Sequence, residues 1–144
     1  MDNVLLYDTT LRDGSQTPGA GLTAEKKFEV AKRLAEMGVD VIEPGFPAAS
    51  KTDFTAITLM ADYFSRSGPI ISAFAIINIK TVDAGWEAVK KAKNKRVHLV
   101  IGTSDVHVEQ KLGKSRDQIL EQISSTVRHA AKYDWQVQFF AEDA

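Results

Sequence analysis

The run Asp8-Thr9-Thr10-Leu11-Arg12-Asp13-Gly14 sets two carboxylates around a guanidinium, with hydroxyls between them, directly after the apolar stretch Val4-Leu5-Leu6-Tyr7. Asp13 can supply a hard oxygen ligand to a divalent cation. Arg12 stays protonated and forks two donors, so it can hold an oxyanion or stabilise negative charge that develops during a reaction. An ion pair that merely caps a strand uses the same residue types. Glu43, Thr103 with His107, and Glu142 each stand just past a different apolar run. At Glu43 a carboxylate facing an interior must find a partner, and Arg12 is the candidate, as a structural pair or as part of a substrate contact.

The elements that must position these residues alternate along the chain. Val4–Tyr7 reads as a strand, followed by a Gly/Pro loop through Gly21. A helix is predicted from about Thr23 to Met37, with Val30, Ala31, Leu34 and Met37 on one face and Gly38 as its stop. Val39–Glu43 is a second short strand. Ser50 with Asp53 is a helix-start signal of the capping-box kind, and Phe54, Ile57, Ala61 and Phe64 follow at helical spacing. Pro69–Ala75 is a third strand, Val82, Trp86 and Val89 mark a third helix, and Arg96–Gly102 is a fourth strand. Ser115 with Gln118 opens a long helix through Ile119, Ile123 and Val127, and Trp135–Phe140 is a fifth strand. Strands that alternate with helices argue a parallel sheet with right-handed crossovers in one α/β domain over residues 1–144. Neither GxGxxG nor a phosphate-loop motif follows the first strand, which weakens a nucleotide-binding open sheet. Arg12, Asp13, Glu43, Thr103, His107 and Glu142 all fall at strand C-terminal ends, which one barrel mouth would gather and an open sheet would spread along an edge.

Composition narrows the function classes. The chain has 144 residues, 44% hydrophobic and 26% charged, with a formal net charge of −1, which gives nucleic acid no basic stripe to bind. The one basic run, Lys90–Arg96, follows a helical pattern and reads as a solvated helix end. There is no cysteine, hence no disulfide or thiolate chemistry, which is compatible with a reducing cytosol. No stretch resembles a secretion signal, and no apolar run approaches the roughly 20 residues of a membrane span. The expectation is a cytoplasmic protein that binds neither membrane nor nucleic acid.

DTTLRDG, followed by Gln16 and Pro18-Gly19, resembles the signature of the metal-dependent acyl-CoA lyases and synthases built on a (β/α)8 barrel. That group includes 2-isopropylmalate, homocitrate and citramalate synthases and hydroxymethylglutaryl-CoA lyase. Within it, Val41-Ile42-Glu43-Pro44-Gly45-Phe46-Pro47-Ala48-Ala49-Ser50 is similar to the second-strand segment of the 2-isopropylmalate synthases. Thr103-Ser104-Asp105-Val106-His107 with Lys111-Leu112 and Lys114-Ser115 is similar to their fourth, and Ala141-Glu142-Asp143-Ala144 to their fifth. The resemblance implies condensation of acetyl-CoA with 3-methyl-2-oxobutanoate in leucine biosynthesis, with a divalent metal (Mg, Mn or Zn) holding the oxo acid. Related 2-oxo acids are the alternative substrates. It assigns Asp13 to the metal. It makes Arg12 the group that polarises the oxo acid and stabilises the alkoxide, and Glu142 the organiser of the catalytic centre and a candidate base. It sets His107, which follows Thr103, in the pocket for the oxo acid or acyl-CoA, and Gln16, Glu43 and Thr103 are the further candidate substrate contacts. Read without it, His107 suits a solvated loop, Glu142 a strand-end ion pair, and Gln16 a loop brace.

The chain also departs from that pattern. Ser15 stands for the usual Glu, Phe140 for a Ser, and Ile76 for an Arg. The family's His-x-His metal ligands are absent: the histidines are His98, His107 and His129. A complete barrel needs roughly 250 residues, so this chain corresponds to about half of one, its N-terminal portion. By itself it is expected to be inactive, and to associate with copies of itself or with another barrel half through its open edges. A non-catalytic half-barrel is the alternative from a different class.

Overall fold

The computed structural model describes residues 4–144. Five parallel strands, β1 Tyr7–Asp8, β2 Val41–Ile42, β3 Ile70–Ile76, β4 Lys95–Gly102 and β5 Gln136–Glu142, lie side by side in chain order and form a half-barrel. The helices α1 Ala24–Glu36, α2 Lys51–Tyr63, α3 Ile79–Val89 and α4 Arg116–Ala130 connect successive strands and cover the convex face.

Each helix starts at a polar cap. The side chains of Thr23, Ser50, Asn78 and Ser115 accept from backbone amides of the first turn. At α4 both arms of the Ser115–Gln118 capping box form. The box expected at Ser50 has only one arm, because the Asp53 carboxylate turns away to Lys27 and to the Phe46 amide. α1 stops at Gly38, whose φ of 86° is a left-handed conformation that costs glycine nothing. Met37, expected on the inner face of α1, caps that helix and is 77% exposed, since the chain has already turned away from the core.

The core lies between helices and sheet. Strand residues Ile42, Ile71 and Ala73 pack on Ala56, Ile57, Met60 and Val89, and Ala75, Val97, Leu99 and Ile101 pack on Val82, Ile119 and Ala130. Alternation along each strand sends the intervening residues to the concave face. There Arg96 donates to the side-chain oxygens of Gln136 and Gln138, and Tyr7, Ser72 and His98 lie above it. Phe74, Ile76, Val100 and Phe140 come nearest the strand C-terminal ends. The lower half of the concave face is therefore polar.

Three expectations change. The first strand begins only at Tyr7: the amide of Leu6 goes to the Asp40 side chain, and Val4, Leu5 and Leu6 are exposed. The basic run splits, because Lys95 and Arg96 open β4 and Arg96 belongs to the concave network. A six-residue π-type turn, Val106–Lys111, follows β4 where only a loop was read.

Candidate active site at the strand C-terminal ends

The loop after β1 is wound so that the amides of Arg12, Asp13 and Gly14 all point at one acceptor, the Thr9 carbonyl, at 3.0, 2.8 and 3.3 Å. Asp8 faces back into this loop. Its carboxylate accepts from the Thr10 amide and hydroxyl, so only Asp13 of the two carboxylates is presented outward. Asp13 is 64% exposed and accepts from Arg12 Nη1 at 3.0 Å. Ser15, in the place of the usual Glu, donates to the Arg12 carbonyl and braces the turn.

Arg12 is fixed from beneath. Its Nε donates to Glu43 Oε2 at 2.6 Å, and its guanidinium lies 4.8 Å above the Phe74 ring. Glu43 is completely buried. Its Oε1 accepts from the Tyr7 hydroxyl at 2.9 Å and lies 2.6 Å from His98 Nδ1. Burial pushes the Glu43 carboxyl up, but the hydrogen bonds from His98 and Arg12, with their charges, outweigh it and hold the group below its ordinary value. An ionised Glu43 makes His98 Nδ1 the donor, since a carboxylate only accepts. Burial, followed by the Glu43 charge, pushes the Tyr7 hydroxyl well above the ordinary phenol range. His98 Nε2 is buried without a hydrogen-bond partner, and His98 is among the residues that line the cavity above.

That cavity holds about 440 Å³ and opens at the strand C-terminal ends. Arg12, Asp13 and Gln16 form one wall, and Gly102, His107 and Glu142 another. Phe74, Ile76, Val100 and Phe140 make it apolar between them. His107 Nδ1 sits 3.1 Å from Ser104 Oγ and 3.4 Å from an oxygen of Asp143, which stands at φ 55° just beyond β5. A Cβ on Gly102 would lie 2.5 Å from His107 Cγ, so the bare backbone there makes room for the imidazole. Thr103 turns aside: its amide and hydroxyl both donate to the Glu142 carbonyl, tying the end of β4 to the end of β5.

Six of the seven residues singled out in the sequence thus meet around one cavity or directly beneath it, and Thr103 fastens its rim. Sequence reasoning assigned nothing to His98 and Tyr7, which hold Glu43 from below, or to Ser72, which bonds the Tyr7 hydroxyl. The inward register of β4, set by core-facing Val97 and Leu99, was the signal that could have found His98. Among the described residues no three His, Cys, Asp or Glu side chains converge on one point, so they do not make a divalent-metal site. Asp13 offers a single carboxylate already engaged with Arg12, and no chemical step can be routed through a metal on these residues alone.

In sequence the chain is similar to known biosynthetic enzymes. The 2-isopropylmalate synthase of Dictyoglomus turgidum is 48% identical over 144 residues, covering 100% of this chain and 28% of that protein. That of Acetivibrio thermocellus is 43% identical over 144 residues, again 100% of this chain and 28% of the relative. The chloroplastic 2-isopropylmalate synthase 2 of Arabidopsis thaliana is 44% identical over 148 residues, 98% of this chain and 24% of the relative. The chain spans about a quarter of the length of these curated relatives. Residues 3–144 match the HMGL-like family from end to end, and the chain belongs to it.

Proposed function

We propose that residues 1–144 form the N-terminal portion of a catalytic barrel that condenses acetyl-CoA with 3-methyl-2-oxobutanoate, the 2-isopropylmalate synthase reaction of leucine biosynthesis. The observation that carries this reading is Arg12, locked on buried Glu43 at the mouth of a cavity whose far wall presents Glu142. In this reading Arg12 polarises the ketone of the oxo acid and stabilises the alkoxide formed when the thioester carbanion attacks. Its pairing with Glu43 holds it in place beforehand, so little reorganisation is needed in the transition state. Glu142 organises the centre and is the candidate base for the thioester methyl. Gln16 and His107 contact substrate from opposite walls, Glu43 acts on it through Arg12, and Thr103 keeps Glu142 at the rim. Asp13 is this chain's contribution to a divalent-metal site (Mg, Mn or Zn), whose other ligands lie outside the described residues.

A second reading, condensation on a different 2-oxo acid, is favoured by Ile76 and Phe140. Both replace polar residues of the family pattern and leave that part of the wall apolar. The proposed partners are small molecules and a second barrel half or another copy of the chain, and the proposed location is the cytoplasm. No helix among the described residues is long and apolar enough to cross a membrane.

Thiol release from acetyl-CoA tests the reaction, with 3-methyl-2-oxobutanoate, pyruvate and 2-oxoglutarate offered in turn, with and without divalent metal. The 144-residue chain is expected to be inactive on all three. A longer polypeptide containing it is expected to prefer 3-methyl-2-oxobutanoate and to need the metal. Preference for another oxo acid would establish the second reading, and a longer polypeptide inert toward every oxo acid would refute both.

A further inference from the structure

Lys27 lies on α1, among residues whose charged neighbours face solvent, yet it is only 3% exposed. Its ammonium donates to the Leu11 carbonyl at 2.7 Å, to the Pro44 carbonyl at 3.0 Å and to Asp53 Oδ1 at 2.6 Å. An ammonium has three protons, so every donor is used and none is left for a ligand. The placement of the acceptors is what matters. Leu11 immediately precedes Arg12, and Pro44 immediately follows Glu43. The two loops that carry the Arg12–Glu43 pair are therefore held to one buried charge, each at the residue next to its own member of the pair.

Asp53 extends the grip. Its second oxygen accepts from the Phe46 amide at 2.9 Å, so the loop after β2 is held at both Pro44 and Phe46. Gly45 lies between them, where an added Cβ would collide with the Asp53 carboxylate. Glycine at this position is what lets the carboxylate lie against the backbone.

We propose that Lys27 is a positioning residue: by holding the Leu11 and Pro44 carbonyls on one ammonium, it sets Arg12 against Glu43 and aims the guanidinium into the cavity. What Arg12 does there rests on the function proposed above, while the placement of the two loops does not. A core role alone makes a different forecast. Methionine at position 27 fills similar volume against the apolar cluster, and a buried ion pair is often replaced by apolar packing with little loss of stability. It would nevertheless leave two loop carbonyls and Asp53 without their donor.

Hydrogen exchange on the full chain carrying Lys27→Met, Asp53→Asn or Lys27→Arg separates these cases. In Lys27→Met the amides of residues 12–14 and 46 are expected to exchange about tenfold faster while β4 and α4 keep their protection, the pattern of local rather than global opening. Asp53→Asn, which keeps the ammonium but splits its partner, should loosen mainly residues 43–46, and Lys27→Arg should restore part of the protection. Unchanged exchange in the two loops overturns the proposal. So does a uniform rise that includes β4 and α4, or loss of the fold in both Lys27→Met and Asp53→Asn, since either outcome assigns Lys27 to the core. In a longer polypeptide active in the condensation assay, Lys27→Met should lower kcat at least about tenfold with the KM for acetyl-CoA little changed, because positioning of Arg12 acts on the transition state. If the unsubstituted protein catalyses no condensation, the proposed reaction fails and the exchange result alone decides on Lys27.

Discussion

Arg12 faces three different surroundings at once: a buried carboxylate below, an exposed one beside it, and an aromatic ring under its plane. Arg12→Ala removes the cation that the fully buried Glu43 depends on. His98, Tyr7 and their hydrogen bonds remain, so the stability loss should fall near the low end for a broken buried pair, about 3 kcal/mol, read from urea unfolding midpoints. A loss under about 0.5 kcal/mol would show that His98 and Tyr7 suffice without it. In an active longer polypeptide the same change should lower kcat far more than it raises the KM for the oxo acid. Gly102→Ala probes the other wall. The new Cβ would stand 2.5 Å from His107 Cγ and 2.8 Å from its Cβ, so the Val106–Lys111 turn must shift. Amide chemical-shift changes confined to residues 102–112, with a stability cost of about 1 kcal/mol, are expected, whereas an unmoved His107 would contradict the steric account. Arg12, Asp13 and Glu142 were legible in the sequence because a polar residue after an apolar run announces a strand end. His98 was legible only as an inward-facing strand position, and Lys27 was not legible at all, because its partners are carbonyls and a carboxylate that only the tertiary structure brings to it.

The α3–α4 contact shows how far patterns of spacing reach. Apolar periodicity marked all four helices, capping signals marked the starts of α2 and α4, and Ser115 with Gln118 placed the start of α4 to the residue. The clasp between the two helices left no such trace. Asp83 of α3 accepts from the Tyr133 hydroxyl at 2.8 Å and lies 2.6 Å from His129 Nε2, while Trp86 stacks on Tyr133 with centroids 4.9 Å apart. The hydrogen bond from His129 is the main reason the Asp83 carboxyl titrates below its ordinary value of 3.8, with the Tyr133 bond and the His129 charge adding to it against a weaker opposing effect of burial. A carboxyl depressed by folding contributes stability that is fully present above 3.8 and is lost as the pH falls through its lower folded value. Thermal unfolding followed between pH 5 and 2 should therefore show a small acid-side loss that Asp83→Asn removes. An identical acid limb in the two proteins would mean that the clasp has no energetic role. The short elements were the hardest to read. β1 and β2 have two residues each, and just before β1 the Leu6 amide is taken by the Asp40 side chain, which the apolar run around it does not announce. The Val106–Lys111 turn has no periodic apolar signature to betray it.

Among the described residues β1 and β5 each pair on one side only, at the two edges of the half-barrel. On the β5 side Val137, Phe139 and Phe140 are exposed, and on the β1 side Val4, Leu5 and Leu6 are. Unpaired strand edges flanked by apolar side chains invite another chain. The lower half of the concave face is polar, with Arg96 already satisfied by Gln136 and Gln138, so any association is expected at the edges and the mouth instead of over the whole inner wall. Light scattering across a dilution series is expected to show a mass above that of one chain at tens of micromolar, a range in which weak edge pairing is populated. A folded species at monomer mass would mean that the edges are covered within a single chain. One consequence follows from the strand order. Every strand pairs with the one made just before it, so no segment waits for a distant partner, and each strand–helix unit can dock as it leaves the ribosome. The loop bearing Arg12 is synthesised first but can be locked only after Lys27, Glu43 and Asp53 have emerged. Fastening of the Arg12 loop is thereby timed to the second strand–helix unit, and a nascent chain interrupted before it carries the Arg12–Asp13 loop without the groups that hold it.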